Sequence, residues 1–368
     1  MKFDYNEEQR LLSDSVSRFV AQDYGFEARR AIVASKEGMS ATVWSTLAEL
    51  GLLGLPFSSD DGGFGGGAVD LMSVMEAMGE GLVVEPYLST LMAARCIAAA
   101  GTAEQKQRIL PGVIDGSIRM AFAQSEKDAR FDLDHVQARA TRAKEGFALE
   151  GAKLAVVHAP VADFLVVSAR SGGKGISLFL VDAKSAGITL RPYRTLDEMP
   201  AADISFRNVP CSLIGPEGAA LPIIEEVVDF ATALVCAEAV GALKYANDAT
   251  LEYLKTRKQF GVPIGAFQAL QHRMVDMVIS YEQAKSMASL ACAKIDSAKD
   301  AAERKRVVSA AKIRIADACR HVSQESVQLH GGMGMSEELK VSHTFRRLTA
   351  IAQQFGDADH HLERFARN

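Results

Sequence analysis

Two segments of this chain combine residue types suited to holding an anionic ligand. Residues 257–261 read Arg-Lys-Gln-Phe-Gly, and residues 328–334 read Gln-Leu-His-Gly-Gly-Met-Gly. A guanidinium offers phosphate oxygens a planar fork of donors, and glycine lets a backbone come closer to a ligand than a Cβ allows. Taken singly, each has a plainer reading, a surface charge near a helix end or a glycine helix terminator. Asp357, in Gln-Gln-Phe-Gly-Asp-Ala-Asp-His-His, is a favoured helix N-cap, and Glu238, in Cys-Ala-Glu-Ala-Val-Gly on a helix, reads as a satisfied buried acid. His330-Gly331-Gly332 invites reading as a hydrolase oxyanion loop, but no Gly-x-Ser-x-Gly elbow accompanies it. His360 and His361 are adjacent on a helix, point apart, and lack metal-ligand spacing.

Proline marks out the elements that must position these groups. Six of the ten prolines lie from Pro160 to Pro222, and none follows Pro263. Proline lacks the backbone donor and clashes inside a helix, so the last hundred or so residues are free to form long helices. Met274, Met277, Val278, Tyr281, Ala284, Met287, Ala288 and Ala291 recur at three- and four-residue steps, as do Val308, Ala311, Ile315, Ala318, Cys319 and Val322. With the tract from Ile223 to Leu254, the pattern predicts three long helices and a shorter terminal one, packed as a bundle. Residues 1–118 also read as helical, with Asn6 and Ser40 as N-caps. The stretch from Asp60 to Gly67 (Asp-Asp-Gly-Gly-Phe-Gly-Gly-Gly) follows no strand and lacks dinucleotide spacing, so it reads as a mobile turn. Between the helical regions, segments 121–125, 163–169, 176–181, 188–191 and 202–206 are short, rich in β-branched and aromatic residues, and bounded by Gly, Pro and Asp. No helical pattern separates them, which predicts an antiparallel sheet or small barrel rather than βαβ units. The expected class is α+β, with a helical domain at 1–118, a β domain at 119–220 and a helical bundle at 221–368.

Composition excludes several functions. At 48% hydrophobic and 24% charged residues with a net charge of −5, the chain carries no basic footprint for nucleic acid. It has no apolar run long enough to span a membrane. Its start carries acids where a signal peptide needs a basic patch, making the cytoplasm the expected location. Five scattered cysteines with no Cys-x-x-Cys pair read as small buried residues.

The helical–β–helical order and the two motifs, about seventy residues apart on the bundle, resemble the flavin-dependent acyl-CoA dehydrogenase family over essentially the whole chain. The resemblance implies FAD held between β domain and bundle, with its diphosphate and adenine end clasped partly by a neighbouring subunit. In that light Arg257 matches the diphosphate-binding arginine and Phe260 the aromatic beside the cofactor. Gln268 matches a position near the adenosine, and Gln328, Gly331, Gly332 and Gly334 match the second clasp. Gln124 and Ser125 fall in the segment that hydrogen-bonds the flavin pyrimidine, and Asp229 matches an aspartate near CoA.

Other positions depart from the family pattern. Where relatives carry glycines and a serine after the Thr-Glu-Pro segment, this chain has Asp128, Ala129, Arg130 and Phe131. The flavin-flanking Trp-Ile-Thr reads Ala155-Val156-Val157, and the arginine three residues beyond Asp229 is Thr232. Anchoring the alignment on the last helix puts Asp357 at the catalytic-base position. Anchoring it on Gln353 puts Gly356 there, and the alternative base position on the first bundle helix is Ala231. The chain therefore resembles the shorter subunit of heterotetrameric members, of the pimeloyl-CoA dehydrogenase small-subunit kind. This implies an α2β2 assembly with a related chain, an acyl-CoA substrate and an electron-transfer flavoprotein as acceptor. Alternatives are a self-sufficient homo-oligomer with Asp357 as base, a flavin monooxygenase or thioester desulfinase on the same fold, and a non-enzymatic scaffold.

Overall fold

The structure, a computed structural model, describes residues 6–173 and 175–368. Eleven helices lie among them: α1 (Glu7–Asp23), α2 (Phe26–Ala34), α3 (Ala41–Glu49), α4 (Ala68–Gly81), α5 (Tyr87–Ala100), α6 (Ala103–Ile114), α7 (Leu221–Thr256), α8 (Gln268–Ser297), α9 (Ala301–His330), α10 (Lys340–Gln353) and α11 (Ala358–Arg367). Seven strands form the main sheet: β1 (Met120–Ala123), β2 (Arg139–Arg142), β3 (Phe147–Val157), β4 (Phe164–Ser171), β5 (Ile176–Asp182), β6 (Ile188–Arg194) and β7 (Pro200–Ile214). A two-stranded hairpin, β8 (Lys258–Gln259) with β9 (Val262–Pro263), stands apart. The chain forms two compact units. One combines the segment up to Arg30 with Ala68–Val83 and Thr232–Asn368, and the other combines Ala31–Gly67 with Val84–Ala231.

In the helical unit, α1 begins on the expected cap. Asn6 Oδ1 accepts from the Gln9 N–H at 2.8 Å, and Gln9 Oε1 accepts from the Asn6 N–H at 2.9 Å. The N-terminus of α4 is capped from a distance, because Asp296 accepts from the N–H groups of Ala68 (3.0 Å) and Val69 (3.2 Å). Helices α4 and α7 cross backbone to backbone at two glycines. A Cβ on Gly79 would lie 1.9 Å from Glu238 O, and one on Gly241 would lie 1.8 Å from Glu76 O. The single terminal helix expected from the pattern is two helices, α10 and α11. The break falls at Gln354–Asp357, where Phe355 (φ 61°) and Gly356 (φ 125°) leave the helical region. Val278, expected inside with the Met274 stripe, is instead exposed beside Val275 and Ile279 on a second apolar face.

The second unit carries the sheet. Its pairings close the circuit β4–β2–β3–β7–β5–β4, with β1 added to β4 and β6 to β7. The barrel is mainly antiparallel as expected, but β4 pairs parallel with both β1 and β2. Strand β2 and most of β3 were not anticipated, although the family resemblance implied a strand at Ala155-Val156-Val157, where β3 ends. Their exposed Arg139, Thr141, Glu150 and Ala152 dilute the apolar signal. In this unit Ser40 caps α3 through the Val43 N–H at 3.3 Å. The glycine-rich stretch is held closely rather than left as a loose turn. The N–H groups of Gly63, Phe64, Gly65 and Gly66 reach Ser58, Gly54, Phe57 and Leu55 carbonyls, and a Cβ on Gly63 would strike Phe57 O at 2.3 Å.

Candidate functional site

Helix direction in the bundle gathers the first set of site residues. Thr250 on α7 meets Ser326 on α9 (Oγ1 to Oγ 2.8 Å), and one turn on Tyr253 stacks on His330 with ring centroids 4.4 Å apart. The residue numbers rise together, so α7 and α9 run the same way and finish at the same end. Helix α8 runs against α9, as the pairs Arg273–Glu325 (2.5 Å), Ser280–His321 (2.8 Å) and Lys294–Glu303 (2.7 Å) require. Its start at Gln268 therefore lies at that same end. Arg257, Gln268, Gln328, Gly331 and Gly332 are thus brought together at one end of the bundle.

Local geometry there leaves room and donors for a ligand. The Arg257 guanidinium is exposed and has no partner among the described residues. Phe260 tips the β8–β9 hairpin at φ 53°, followed by Gly261 at φ 82°, the pair of positive values a tight hairpin needs. Phe260 is 91% exposed, which is unusual for an aromatic held in a strained conformation. The N-cap of α8, Phe267, offers no side-chain cap, and the Gln268 and Ala269 N–H groups have no hydrogen-bond partner among the described residues, at the positive end of the helix dipole. Gly331 sits at φ 60°, ψ −142°, a conformation reserved for glycine. Nothing lies within 4 Å of a Cβ built on Gly331 or Gly332, whereas one on Gly334 would strike Val327 O at 2.5 Å. Gly334 thus serves the chain's own packing, and Gly332 keeps open a space that the chain does not fill. Cation, uncapped helix start and open glycines together suit a dinucleotide diphosphate such as that of FAD.

Beside this end lies an apolar groove of about 630 Å³, lined by Leu251, Leu254, Pro263, Met274, Val275 and Val278.

The turn carrying Asp357 is in the same unit. Asp357 Oδ1 caps α11 by accepting the His360 N–H at 2.8 Å. Lys312 Nζ donates to Ala352 O (3.1 Å) and Gly356 O (2.7 Å). His361 donates from Nε2 to Phe355 O (3.1 Å) and accepts at Nδ1 from Ser309 Oγ (3.2 Å). Burial pushes the Lys312 ammonium below its ordinary range. Burial, then Lys312, His360 and Arg364, push His361 down to about 2, which keeps it neutral. Glu238 is a satisfied acid, in a buried bidentate pair with Arg347 (2.6 and 2.6 Å). Among the described residues, no group of three or more His, Cys, Asp or Glu could hold a metal ion, and no helix is long and apolar enough to cross a membrane. All five cysteines are free and buried.

The sheet unit positions Gln124, Ser125 and Asp229. A bulge in β3 at Leu154–Ala155 lets the Leu154 N–H reach Ser125 O at 2.8 Å. Lys153 Nζ, fully buried, donates to Gln124 O (3.1 Å), Glu126 (2.7 Å) and Ser168 Oγ (2.8 Å). Glu126 also accepts from the N–H groups of Gln137 (2.7 Å) and Ala138 (3.2 Å), which fixes the β1–β2 connection. Burial lowers Lys153 to about 8 against the pull of Glu126. Both carbonyls are thereby turned toward β3. The Ser125 hydroxyl and the buried Gln124 Oε1 are left without partners among the described residues. Asp128 (φ 66°) and Arg130 (φ 49°) hold glycine-type backbone angles with side chains exposed. Asp229 is fully buried near the start of α7, where Arg95 pairs with Glu226 (2.6 Å) and stacks over Phe230 (4.2 Å).

Sequence reasoning passed over Lys312 and Lys153. A signal existed for each. Lys312 is four residues after Val308 and three before Ile315, on the buried stripe of α9, and Lys153 shares a strand face with buried Leu149.

A helical–β-barrel–helical chain with a cation-and-glycine clasp at one end of its bundle has the architecture of a flavin-dependent oxidoreductase. Three family descriptions fix which one: "Acyl-CoA dehydrogenase, N-terminal domain" matches residues 6–117, "middle domain" residues 121–209 and "C-terminal domain" residues 221–368. The chain belongs to the acyl-CoA dehydrogenase family, oxidoreductases acting on CH–CH bonds. It is 31% identical over 372 residues to acyl-CoA dehydrogenase FadE12 of Mycobacterium tuberculosis, covering 95% of this chain and 93% of that one. A variant of the Tcur3481-Tcur3483 steroid ACAD superposes with a TM-score of 0.90 at 30% identity, over 98% of this chain and 97% of the other. PigA with FAD and proline gives 0.91 at 27% identity, over 100% and 98%.

Proposed function

We propose that this chain is a subunit of an FAD-dependent acyl-CoA dehydrogenase, which introduces a double bond between Cα and Cβ of an acyl-CoA thioester. In the reaction a carboxylate takes the α-proton, and FAD, when bound, accepts the hydride that leaves Cβ. Arg257 and the start of α8 would hold the FAD diphosphate, Gly331 and Gly332 would admit the adenosine diphosphate, and Gln268 and Gln328 would flank it. Gln124 and Ser125 would meet the flavin pyrimidine, and Asp229 the CoA arm. The single observation that carries the reading is the clasp. The Arg257 guanidinium has no partner among the described residues, Phe260 is exposed and strained, and a Cβ on Gly331 or Gly332 would meet only open space.

The clasp adjoins an apolar face exposing Leu251, Val275, Val278 and Ile279, which favours its use across a subunit boundary. Asp128 and Arg130 put side chains where the family keeps glycine, and Asp357 is engaged as a cap. Both features favour an α2β2 assembly in which this chain completes the cofactor site of a related partner carrying the base. An electron-transfer flavoprotein is the acceptor expected of such an enzyme. A second reading, with Asp357 as base in a homo-oligomer, is favoured by the strained Phe355–Gly356 turn that presents it, because backbone strain gathers at functional sites.

The test is the flavin spectrum and FAD-to-chain ratio of the protein purified alone and with its related partner. Colour only with the partner, at one FAD per pair, supports the shared site. A yellow homo-oligomer bleached anaerobically by acyl-CoA, and inactivated by Asp357→Asn with FAD retained, supports the second reading. Failure to take up FAD in either form refutes both.

A further inference from the structure

The turn between α10 and α11 is built more heavily than capping α11 requires. Its Phe355 and Gly356 both have positive φ, and its three carbonyls at Ala352, Phe355 and Gly356 are each gripped by a side chain. Two of those grips come from a single ammonium. The Lys312 side chain is fully buried, and among the described residues its only hydrogen bonds are to Ala352 O and Gly356 O, with no carboxylate bonded to it. Around it stand the Cys236 thiol of α7, the Cys319 thiol of α9, Asp357 on the turn, and the neutral imidazole of His361 on α11. Neither thiol is ionised at neutral pH, because burial pushes each up to about 12.

Burying a cation with no carboxylate hydrogen-bonded to it is a costly way to stabilise a core, since an apolar side chain of similar volume carries no desolvation penalty. Its return is geometric. A peptide is planar, so gripping Gly356 O fixes the plane of the Gly356–Asp357 peptide and with it the direction in which Asp357 leaves the turn. The grip on Ala352 O at the end of α10 holds the other side of the turn, where the helix dipole also favours a cation. The Asp357 N–H makes no hydrogen bond among the described residues, so the gripped peptide presents a free donor as well as a carboxylate.

We propose that Lys312 is a positioning residue for the acyl-CoA site: its buried ammonium sets the turn 353–357 against the thioester. The proposal rests on the second reading above, in which this chain's own Asp357 faces the thioester. A base carried by the partner would leave kcat and KM unchanged in Lys312→Met, and Asp357→Asn separates that case from a failure of the positioning role. Lys312 lies sixteen positions before Gln328 on α9, so its loss disturbs the turn without touching the glycine clasp.

The experiment uses Lys312→Met and Lys312→Arg in the oligomer that binds FAD. FAD content, melting temperature, and kcat and KM for whichever of a panel of straight-chain and branched acyl-CoAs the wild type oxidises are measured together. Lys312→Met is expected to keep FAD at the wild-type ratio and to lower kcat/KM at least tenfold. Lys312→Arg, which keeps the donors, is expected to recover part of that loss. Unchanged kcat and KM in Lys312→Met overturn the proposal. So does a loss of activity that only follows loss of FAD and of folded protein in both variants. A wild type that takes up FAD but oxidises no acyl-CoA overturns the underlying reading as well, and that result is seen before any variant is made.

Discussion

His361 makes the stability of the helical unit depend on pH in a way that one substitution should remove. In the fold its ring is buried, Nδ1 accepts from Ser309 and Nε2 donates to Phe355 O, and Lys312 and Arg364 surround it with positive charge. Its value is pushed from 6.5 to about 2, so in acid the unfolded chain binds a proton that the folded chain refuses. Stability from this group is fully present above the unfolded value near 6.5. It is lost as pH falls toward 2, by about 1.4 kcal/mol per unit. Between pH 8 and pH 5 the loss amounts to about 2 kcal/mol. At about 2 °C per kcal/mol for a chain of this size, that is roughly 4 °C in melting temperature. His361→Gln keeps a donor for Phe355 O and cannot titrate. The assay is thermal unfolding of both proteins at half-unit steps from pH 8 to 5. The variant is expected to melt lower at pH 8, from imperfect packing, and to close the gap by about 4 °C at pH 5. Two parallel curves would refute the buried neutral imidazole.

Gly241→Ala forces a Cβ to 1.8 Å from the Glu76 carbonyl, backbone against backbone, and is expected to cost more than about 4 kcal/mol and yield little soluble folded chain. A wild-type melting curve would contradict the helix crossing. Lys153→Met leaves Glu126 buried and uncompensated, at a cost of about 3–5 kcal/mol in denaturant unfolding. Adding Glu126→Gln should restore more than about 1 kcal/mol of it, and strict additivity would argue against the pair. Arg257→Ala and Gly332→Ala should each leave the melting temperature of the apoprotein unchanged, because the exposed Arg257 guanidinium bonds to no described residue and a Cβ on Gly332 meets nothing within 4 Å. Both should lower the FAD-to-chain ratio, read by absorbance after gel filtration.

Much of this fold is legible in the sequence because its determinants are local. Asn6 with Gln9, Ser40 with Val43, the proline-free tract and the apolar strands each declare themselves within a few residues. What escaped reading depends on partners far along the chain. Lys153 looks like an ordinary strand lysine until Glu126 is placed beside it. Lys312 has no acid to betray it, since its partners are carbonyls, which every residue has. The break before α11 was legible at Asp357, which reads as an N-cap and is one, but not at Phe355, a non-glycine residue whose positive φ is stabilised by contacts from α9 and α11. Val278 misled for a different reason: an apolar residue at helical spacing reads as core, and nothing local separates core from an uncovered face. At the site, the clasp was legible as a motif, while the two roles open to Asp357 differ only in what lies opposite its carboxylate.

The glycine crossing of α4 and α7 also imposes an order of events during synthesis. Gly79 leaves the ribosome about 160 residues before Gly241, which at roughly 5–20 residues per second is a delay of about 8–30 s. Throughout that interval α4, whose Leu71, Val74, Met75 and Met78 are buried in the finished protein, can pair with α1 but not with α7 or α8. The cap on its first turn, Asp296, arrives later still. The unit that carries the clasp therefore cannot close as the chain emerges. Its first helices must be kept soluble, by chaperones or by their own pairing, until the last third of the protein has been made.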